Sequence, residues 1–402
     1  MHPSRKLKHG IEKTCIDWDT WMEGSQVGFF MDECHSLANP KTERFAYFKA
    51  NISKIEYRYL FTGTLADKYE KLYAPIYFLD KSLTEGRPFT NWVKSFGALG
   101  NKYSETAINP DTWNLDKIAD LNNVLLKIYG TKRLARECLN LPLDYDVPTI
   151  HIDMSPLQRD IYEGFVKEQI RQVQNKKQIG KSDTKNDLLN MFSIFQLAVD
   201  NPSCILKTPS FESFPEDLKE KIENYDYAND SYKLRVLKDI LSERVGENEE
   251  RGIVWYTHPI TKDVLVEELK QYKPTVIEAG MKPEELNLAI KKFKEDPDSK
   301  IIIASINIMN TSVTITECTF NVYIERTFNY TYYEQSRRRT WRNGQTNVVR
   351  YYFMCYNNSI DNLQMDNLKQ KGAILNTLMN KEYIDNVMWK KIFNSVGGEV
   401  WD

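Results

Sequence analysis

The stretch Val27-Gly28-Phe29-Phe30-Met31-Asp32-Glu33-Cys34-His35 is an apolar run that ends in two acids and a histidine. A short apolar run of this kind is typical of a buried strand. A second strand is predicted at Tyr57–Phe61, and it runs into Thr62-Gly63-Thr64. Strands that alternate with helices form parallel sheets, whose ligands bind at the carboxyl ends of the strands. The two polar segments are therefore expected to lie close together.

The acidic pair has the chemistry of a magnesium site. Mg²⁺ prefers carboxylate oxygens, keeps several waters and shares substrate phosphates. Asp32 is expected to hold the ion, and Glu33 to orient and deprotonate a water. His35 is expected to hydrogen-bond to the neighbouring segment, so that Thr62, Gly63 and Thr64 report the state of the site. The alternative is an acidic surface turn that merely ends a strand.

A cluster of arginines follows much later, in Gln335-Ser336-Arg337-Arg338-Arg339-Thr340-Trp341-Arg342-Asn343-Gly344-Gln345. Arg339 and Arg342 are three residues apart, so on a helix they share one face. Guanidinium groups suit the negative charge of a phosphoryl group in transfer. The alternative is a basic helix face that contacts solvent or nucleic acid.

Composition limits the number of domains, the kinds of binding site and the cellular compartment that can be expected. With 402 residues the chain is long enough for two domains, and a net charge of -2 means that nucleic acid would have to bind in a local groove. The six cysteines are too scattered for a zinc site and fit a reducing cytoplasm. No apolar run is long enough for a membrane span. The high content of Asn, Lys and Tyr points weakly to an AT-rich, phage-type genome, for which the compartment would be the host cytoplasm.

The chain divides into three regions by pattern. Residues 1–142 read as an α/β lobe with an aromatic helical insertion at about 80–141. Residues 143–230 read as a helical and linker region, in which the acidic stretch Phe211–Asp230 is expected to be a linker or a mobile surface excursion. Residues 231–402 read as a second α/β lobe with C-terminal helices. Its strands are predicted at Gly252–Tyr256, Thr275–Ile277, Lys300–Ala304, Phe320–Ile324 and Val348–Phe353.

The order of these segments resembles the superfamily-two helicases, and most of all the Swi/Snf-type DNA translocases. Asp32–His35 resembles their DExH box in its DECH spelling, and Phe61–Thr64 resembles their Leu-Thr-Gly-Thr motif. Ser231–Leu234 resembles the Ser-Gly-Lys-Leu that opens the second lobe, and Asn201-Pro202 resembles the His-Pro landmark. Gln335–Gln345 resembles Gln-Ala-x-x-Arg-x-x-Arg-Ile-Gly-Gln. Leu65, Ser312, Thr314, Arg338 and Trp341 depart from the usual residues of these motifs.

The resemblance implies an α/β fold with two RecA-like lobes and parallel sheets, the first lobe incomplete at its N-terminus, plus helical insertions. It implies ATP and Mg²⁺ as cofactors and DNA, or RNA, as partner. The expected cycle closes the lobes around Mg-ATP and moves them along DNA. The residues that it assigns are, for catalysis, Asp32, Glu33, His35, Arg339 and Arg342; for coupling, Thr62, Gly63, Thr64 and Gln335; and for nucleic-acid contact, Ser305, Ser312, Thr314 and Arg338.

The glycine-rich phosphate loop of the family is expected upstream of the DECH box, where only 31 residues precede Asp32. Gly180-Lys181-Ser182 spells the end of such a loop, but no buried strand precedes it, so it is interpreted as coincidence. We expect the chain alone to hydrolyse ATP poorly, because it is a fragment, has a misannotated start, or depends on a separate polypeptide for the loop. The alternatives are a non-catalytic nucleic-acid-binding or regulatory module, and a Mg²⁺-dependent nuclease.

Overall fold

A computed structural model gives the structure of the chain. It describes residues 28–37, 39–63, 66, 68–101, 104–109, 112–130, 138–178, 193–308, 313–327, 329–362 and 364–366. Contacts divide the chain into two compact units, with a boundary between Lys132 and Arg133. None of the helices in these ranges is both long enough and apolar enough to cross a membrane.

The first unit begins with the strand pair that the sequence predicts. β1 (Gly28–Met31) and β2 (Tyr57–Leu60) run parallel, with Gly28 opposite Tyr57 and Met31 opposite Leu60. Side chains alternate between the two faces, as in any strand. One face packs on a small core of Leu37, Ile52, Ile55 and Phe78, and the other face is exposed.

The rest of the first unit is built around aromatic side chains. Its helices are α1 (Glu43–Asn51), α2 (Tyr73–Leu79), α3 (Phe89–Ser95) and α4 (Leu115–Val124), and Thr42 caps the first of them. Tyr73, Trp92, Phe96 and Trp113 form the centre of the core, with neighbouring rings in tilted or edge contact. The predicted helical insertion also contains an antiparallel hairpin of β3 (Leu99–Asn101) and β4 (Ser104–Ile108), which the sequence analysis did not foresee.

The second unit contains a seven-stranded parallel sheet. The strand order is β5-β11-β10-β7-β9-β8, and β6 pairs with the distal part of β11. The strands are β5 (Asp144–Asp146), β6 (Ile150–Ile152), β7 (Gly252–Tyr256), β8 (Thr275–Ile277), β9 (Ile301–Ser305), β10 (Phe320–Tyr323) and β11 (Val349–Tyr356). The described helices are α5 (Pro156–Gln178), α6 (193–200), α7 (Glu216–Glu223), α8 (Tyr227–Asp230), α9 (Tyr232–Leu241), α10 (Pro259–Glu268), α11 (Pro283–Glu295) and α12 (Tyr330–Thr340).

Helices cover both faces of this sheet, which is the arrangement that parallel strands require. Along β7, Val254 and Tyr256 join one hydrophobic core, whereas Ile253 and Trp255 join the core on the other face. Every residue of β7, β9 and β10 is buried. The predicted α/β class with a large parallel sheet is confirmed.

The acidic stretch Phe211–Asp230 is not a mobile surface excursion, and that prediction was wrong. It forms α7 and α8, and its apolar residues Phe214, Leu218, Ile222 and Tyr227 are buried in the same core as the sheet. The acidic residues occupy the outer face of α7, so composition concealed an amphipathic helix. The predicted N-cap of α5 is present, since Ser155 Oγ accepts a hydrogen bond from Gln158 N at 3.3 Å.

Gly252 is the position in the sheet least able to accept a side chain. A Cβ atom there would lie 2.2 Å from the ring of Phe320, the residue opposite it on β10. Because both residues are buried, we expect Gly252→Ala to destabilise the fold by about 1–3 kcal/mol, measured by urea unfolding. Gly246→Ala, where a Cβ meets nothing within 4 Å, is the matched control. Equal unfolding midpoints for the two variants would contradict this packing.

Candidate functional site

The DECH tetrad continues directly from β1 at the carboxyl end of the strand pair. The ladder extends past both strands, because Phe61 N donates to Met31 O at 2.8 Å and Cys34 N donates to Phe61 O at 3.0 Å. These bonds carry the chain of the tetrad alongside the start of the Thr-Gly-Thr segment. Cys34 points into the protein, where burial raises the pKa of its thiol to about 12, so it is neutral and structural.

His35 contacts both Glu33 and Thr62. His35 Nδ1 lies 3.3 Å from Thr62 Oγ1 and 3.1 Å from Glu33 Oε2. Glu33 has a left-handed backbone with φ of 50°, and about half of its side chain is exposed. The two motifs, 27 residues apart for His35 and Thr62, therefore meet as the sequence analysis expected. Gly63 lies beside them, while Thr64 falls outside the described residues.

The two carboxylates of the tetrad remain open to solvent. Asp32 is exposed, and its Oδ1 accepts a hydrogen bond from Glu33 N at 2.9 Å. Among the described residues, no group of three or more His, Cys, Asp or Glu side chains forms a metal cage. Two exposed carboxylates fit an ion that keeps its waters and shares substrate phosphates, as Mg²⁺ does.

The arginine segment begins as the helix α12 and then leaves it. The helix ends at Thr340, so Arg342 lies in an exposed turn and does not share a helix face with Arg339, which corrects that expectation. Arg339 is half-buried, and its Nη1 donates to Val313 O at 3.3 Å. Arg339 and Arg342 remain in one short segment, but Arg339 lies in the helix and Arg342 lies in the turn that follows it.

Distant contacts end the helix. Trp341 is buried, and its indole N–H donates to Pro142 O at 2.8 Å. Gln345 is also buried, and its Nε2 donates to the carbonyl oxygens of Thr316, Cys318 and Thr340 at 3.0–3.1 Å. The last of these bonds satisfies a carbonyl group at the helix end, as a cap does.

The predicted nucleic-acid residues do not gather at one place. Ser305 ends β9 at the carboxyl edge of the sheet and is buried. Helix α12 runs back from β10 to the start of β11, which brings Arg338 and Arg339 toward the opposite, amino edge. Arg338 is exposed, with Glu334 at 3.7 Å, and Thr314 is half-buried near the same edge. Ser312 falls outside the described residues.

Two other residues of the segment have enclosed polar groups. Arg337 is paired with Asp144 and Asp146 and stacks on Tyr351. Gln335 keeps a buried side-chain oxygen without a hydrogen-bond partner in the described part of the chain. A buried acceptor of this kind is costly unless something bonds to it.

A buried network of charges lies at the carboxyl edge of the sheet, and the sequence analysis missed it. Lys233 Nζ is 2.7 Å from Asp361 Oδ2 and 4.0 Å from Asp200 Oδ1, and all three side chains are fully buried. Burial alone would lower the pKa of Lys233, but the charges of Asp361 and Asp200 outweigh it and raise that pKa. The lysine is therefore charged. Lys233 belongs to the recognised motif Ser231–Leu234, and Asp200 directly precedes the recognised pair Asn201-Pro202. Both positions could therefore have been singled out from the sequence.

The network continues to the amino end of α10. Thr257 N and His258 N both donate to Glu325 Oε2, the second at 2.8 Å. His258 Nε2 forms an ion pair with Asp200 Oδ2 at 3.4 Å. Burial opposes a charge on His258, but Glu325 and then Asp200 outweigh it and raise its pKa to about 9. A carboxylate of the protein itself thus occupies the helix N-terminus, where anions bind favourably.

The raised pKa of His258 makes stability depend on pH. The pKa of His258 rises from an ordinary value of 6.5 to about 9 in the fold, and this shift stabilises the native state by up to about 3 kcal/mol. That contribution is complete below pH 6.5 and is lost as the pH rises through about 9. We expect urea unfolding between pH 6.5 and about 9 to show this loss of stability, and the variant His258→Gln to lack it. The control His151→Gln, at an exposed position of β6, should show the same loss as the wild type. A wild-type loss in His258→Gln would contradict the assignment.

The comparisons with known proteins bear mainly on the second unit. The model of the "Helicase conserved C-terminal domain" matches residues 232–344, which include Lys233, His258, Ser305 and most of the arginine segment. A search of curated proteins found no match.

The solved structures that match this chain include three structures of ATPase domains, from two ATPases. The C-terminal part of the Fun30 ATPase domain has 17% identity and a TM-score of 0.47, over 64% of this chain and 99% of that one. The Sulfolobus solfataricus SWI2/SNF2 ATPase core in complex with dsDNA has 16% identity and a TM-score of 0.44, over 93% and 74%. The core domain of the same ATPase has 15% identity and a TM-score of 0.46, over 93% and 72%. From the family match, residues 232–344 are similar to the helicase conserved C-terminal domain, which agrees with the helicase resemblance predicted from the motifs.

Proposed function

We propose that the chain acts as an ATP-dependent DNA translocase or helicase of the superfamily-two, Swi/Snf type. The observation that carries the proposal is the contact of His35 with both Glu33 and Thr62 at the carboxyl ends of two parallel strands. It occurs in a chain whose residues 232–344 are similar to a helicase C-terminal domain. An acid that faces solvent beside a fixed histidine suits the activation of a water.

In this proposal each motif has a separate task. Asp32 would hold Mg²⁺, which neutralises charge on the phosphates, and Glu33 would orient and deprotonate the attacking water. Arg339 and Arg342 would stabilise the charge that develops on the transferred phosphoryl group. Thr62 would sense the state of the site through His35. Thr314 and Arg338, near one edge of the sheet, are the proposed contacts to nucleic acid, with DNA as the proposed partner and RNA as the alternative; Ser305 is buried at the opposite edge.

A separate polypeptide is proposed to supply the glycine-rich phosphate loop. The outer face of the strand pair exposes the aromatic residues Phe30, Tyr59 and Phe61. The rings of Phe30 and Tyr59 are stacked, with their centroids 4.7 Å apart. Parallel strands are normally covered on both faces, and two strands alone are marginally stable. A βα unit with the loop would cover this aromatic face.

ATP turnover tests the proposal in four conditions: with and without duplex DNA, and with and without a separate polypeptide that carries a glycine-rich phosphate loop. We expect DNA-stimulated turnover when that polypeptide is present and little turnover by the chain alone. No turnover in any condition would contradict a motor. DNA binding without turnover would instead favour a non-catalytic module with the helicase fold.

A further inference from the structure

Arg337, two residues before Arg339 on α12, is held by a segment from another part of the chain. Its Nη1 donates to Asp146 Oδ1 and, at 2.9 Å, to the hydroxyl of Tyr333. Its Nη2 lies 3.5 Å from Asp144 Oδ2. The guanidinium carbon lies 4.0 Å from the ring centroid of Tyr351, and only 16% of the arginine side chain is exposed. A cation packed and paired in this way has little freedom to move.

The same segment also contacts the chain on the other side of Arg339. Pro142 O accepts the hydrogen bond from the buried indole of Trp341. The backbone between these contacts is fixed to the sheet, because β5 pairs with β11 and Val349 N donates to Leu143 O at 3.0 Å. Residues 142–146, here named the strap, therefore hold α12 at position 337 and the following turn at position 341.

The strap lies near the start of the second unit in the sequence. The boundary between the two compact units falls between Lys132 and Arg133, only a few residues before the strap. The strap also contacts the segment that carries both candidate phosphate-binding arginines.

We propose that Asp144 and Asp146 are positioning residues, which set the placement of Arg339 and Arg342. The inference rests on the proposed function. An ordinary structural ion pair would lower stability without affecting the transition state. A positioning pair affects kcat, because an arginine displaced by a fraction of an ångström still permits ATP to bind but stabilises the transition state poorly.

The test compares the double variant Asp144→Asn/Asp146→Asn with the wild-type chain in DNA-stimulated ATP turnover, with the polypeptide that carries the phosphate loop present in both. We expect kcat to fall roughly 10-fold or more, while KM for ATP changes less than about 3-fold. The single variant Asp144→Asn retains Asp146, so its kcat should be much closer to that of the wild type than to that of the double variant. Glu250→Gln, which removes the partner of Arg350 on the same strand β11, is the matched control and should leave kcat within about 2-fold. Unchanged kcat in the double variant, or an equal fall in the control, would overturn the proposal.

Hydrogen exchange supplies a readout that does not depend on ATP. We expect faster exchange in the peptide 335–345 of the double variant, with β7 and β9 unchanged. Uniformly faster exchange throughout the second unit, or no change at 335–345, would show that the strap does not position the arginine segment. If the wild-type chain turns over no ATP in any condition, the proposed function fails, but this measurement still decides whether the strap controls the segment.

Discussion

Glu33→Gln is expected to reduce DNA-stimulated ATP turnover by about 10²-fold or more. The amide keeps the size and the hydrogen-bonding reach of the carboxylate, but it cannot accept the proton of the attacking water. ATP and DNA should still bind, because Asp32 and the arginine segment are intact. The loss should therefore appear in kcat, with KM for ATP little changed.

A matched control for this variant exists within the same unit. Glu85 is also exposed and also has a left-handed backbone, with φ of 53° against 50° for Glu33. It pairs with Arg87 at a helix end, away from the carboxyl ends of β1 and β2. Glu85→Gln should leave turnover within about 2-fold. Full activity in Glu33→Gln, or equal losses in both variants, would remove Glu33 from the chemistry.

Lys233→Met is expected to lower the free energy of unfolding by about 3–5 kcal/mol. Methionine fills a similar volume, but it leaves the carboxylates of Asp200 and Asp361 buried without their cation. Asp361 is also bound by the backbone, since its Oδ2 accepts a hydrogen bond from Tyr356 N at 2.9 Å, so it cannot turn out to solvent without breaking that bond. Urea unfolding followed by circular dichroism measures the change.

Lys238→Met on the same helix α9 is the control for this prediction. Lys238 pairs with Glu268, but both side chains are partly exposed, so the pair should contribute less than about 1 kcal/mol. A second variant, Lys233→Met/Asp361→Asn, should recover part of the loss because it removes one of the unpaired charges. Equal effects of Lys233→Met and Lys238→Met would mean that the network is not desolvated.

The sequence predicts those features that short-range patterns determine. The apolar runs of β7 and β9 identify buried strands, and Ser155-Pro156 identifies the start of α5. The contact of His35 with Thr62 was also predictable, because adjacent parallel strands deliver their following residues to one edge. In each case the neighbours in the sequence hold the information.

Features that depend on distant partners were not predictable in the same way. The end of α12 before Arg342 depends on the bond from Trp341 to Pro142, which is 199 residues away. Arg337 resembles the exposed arginines beside it, and only its contacts with Asp144 and Asp146 show that it is not a free cation. The acidic surface of α7 likewise hid a helix whose apolar side is buried.

The central proposal is that the DECH acids and the arginine segment both serve ATP hydrolysis, and a double-mutant cycle of Glu33→Gln and Arg342→Ala tests it most directly. The measurement is DNA-stimulated kcat for the wild type, both single variants and the double variant, with Glu33→Gln/Asn343→Ala as the control pair in the same exposed turn. We expect Arg342→Ala alone to cost about 10³-fold, as for other arginines that stabilise a phosphoryl group in transfer. The double variant should be little slower than the slower single variant, because residues that serve one transition state are strongly non-additive. Losses that multiply fully, or an Arg342→Ala variant with wild-type kcat, would contradict a shared site.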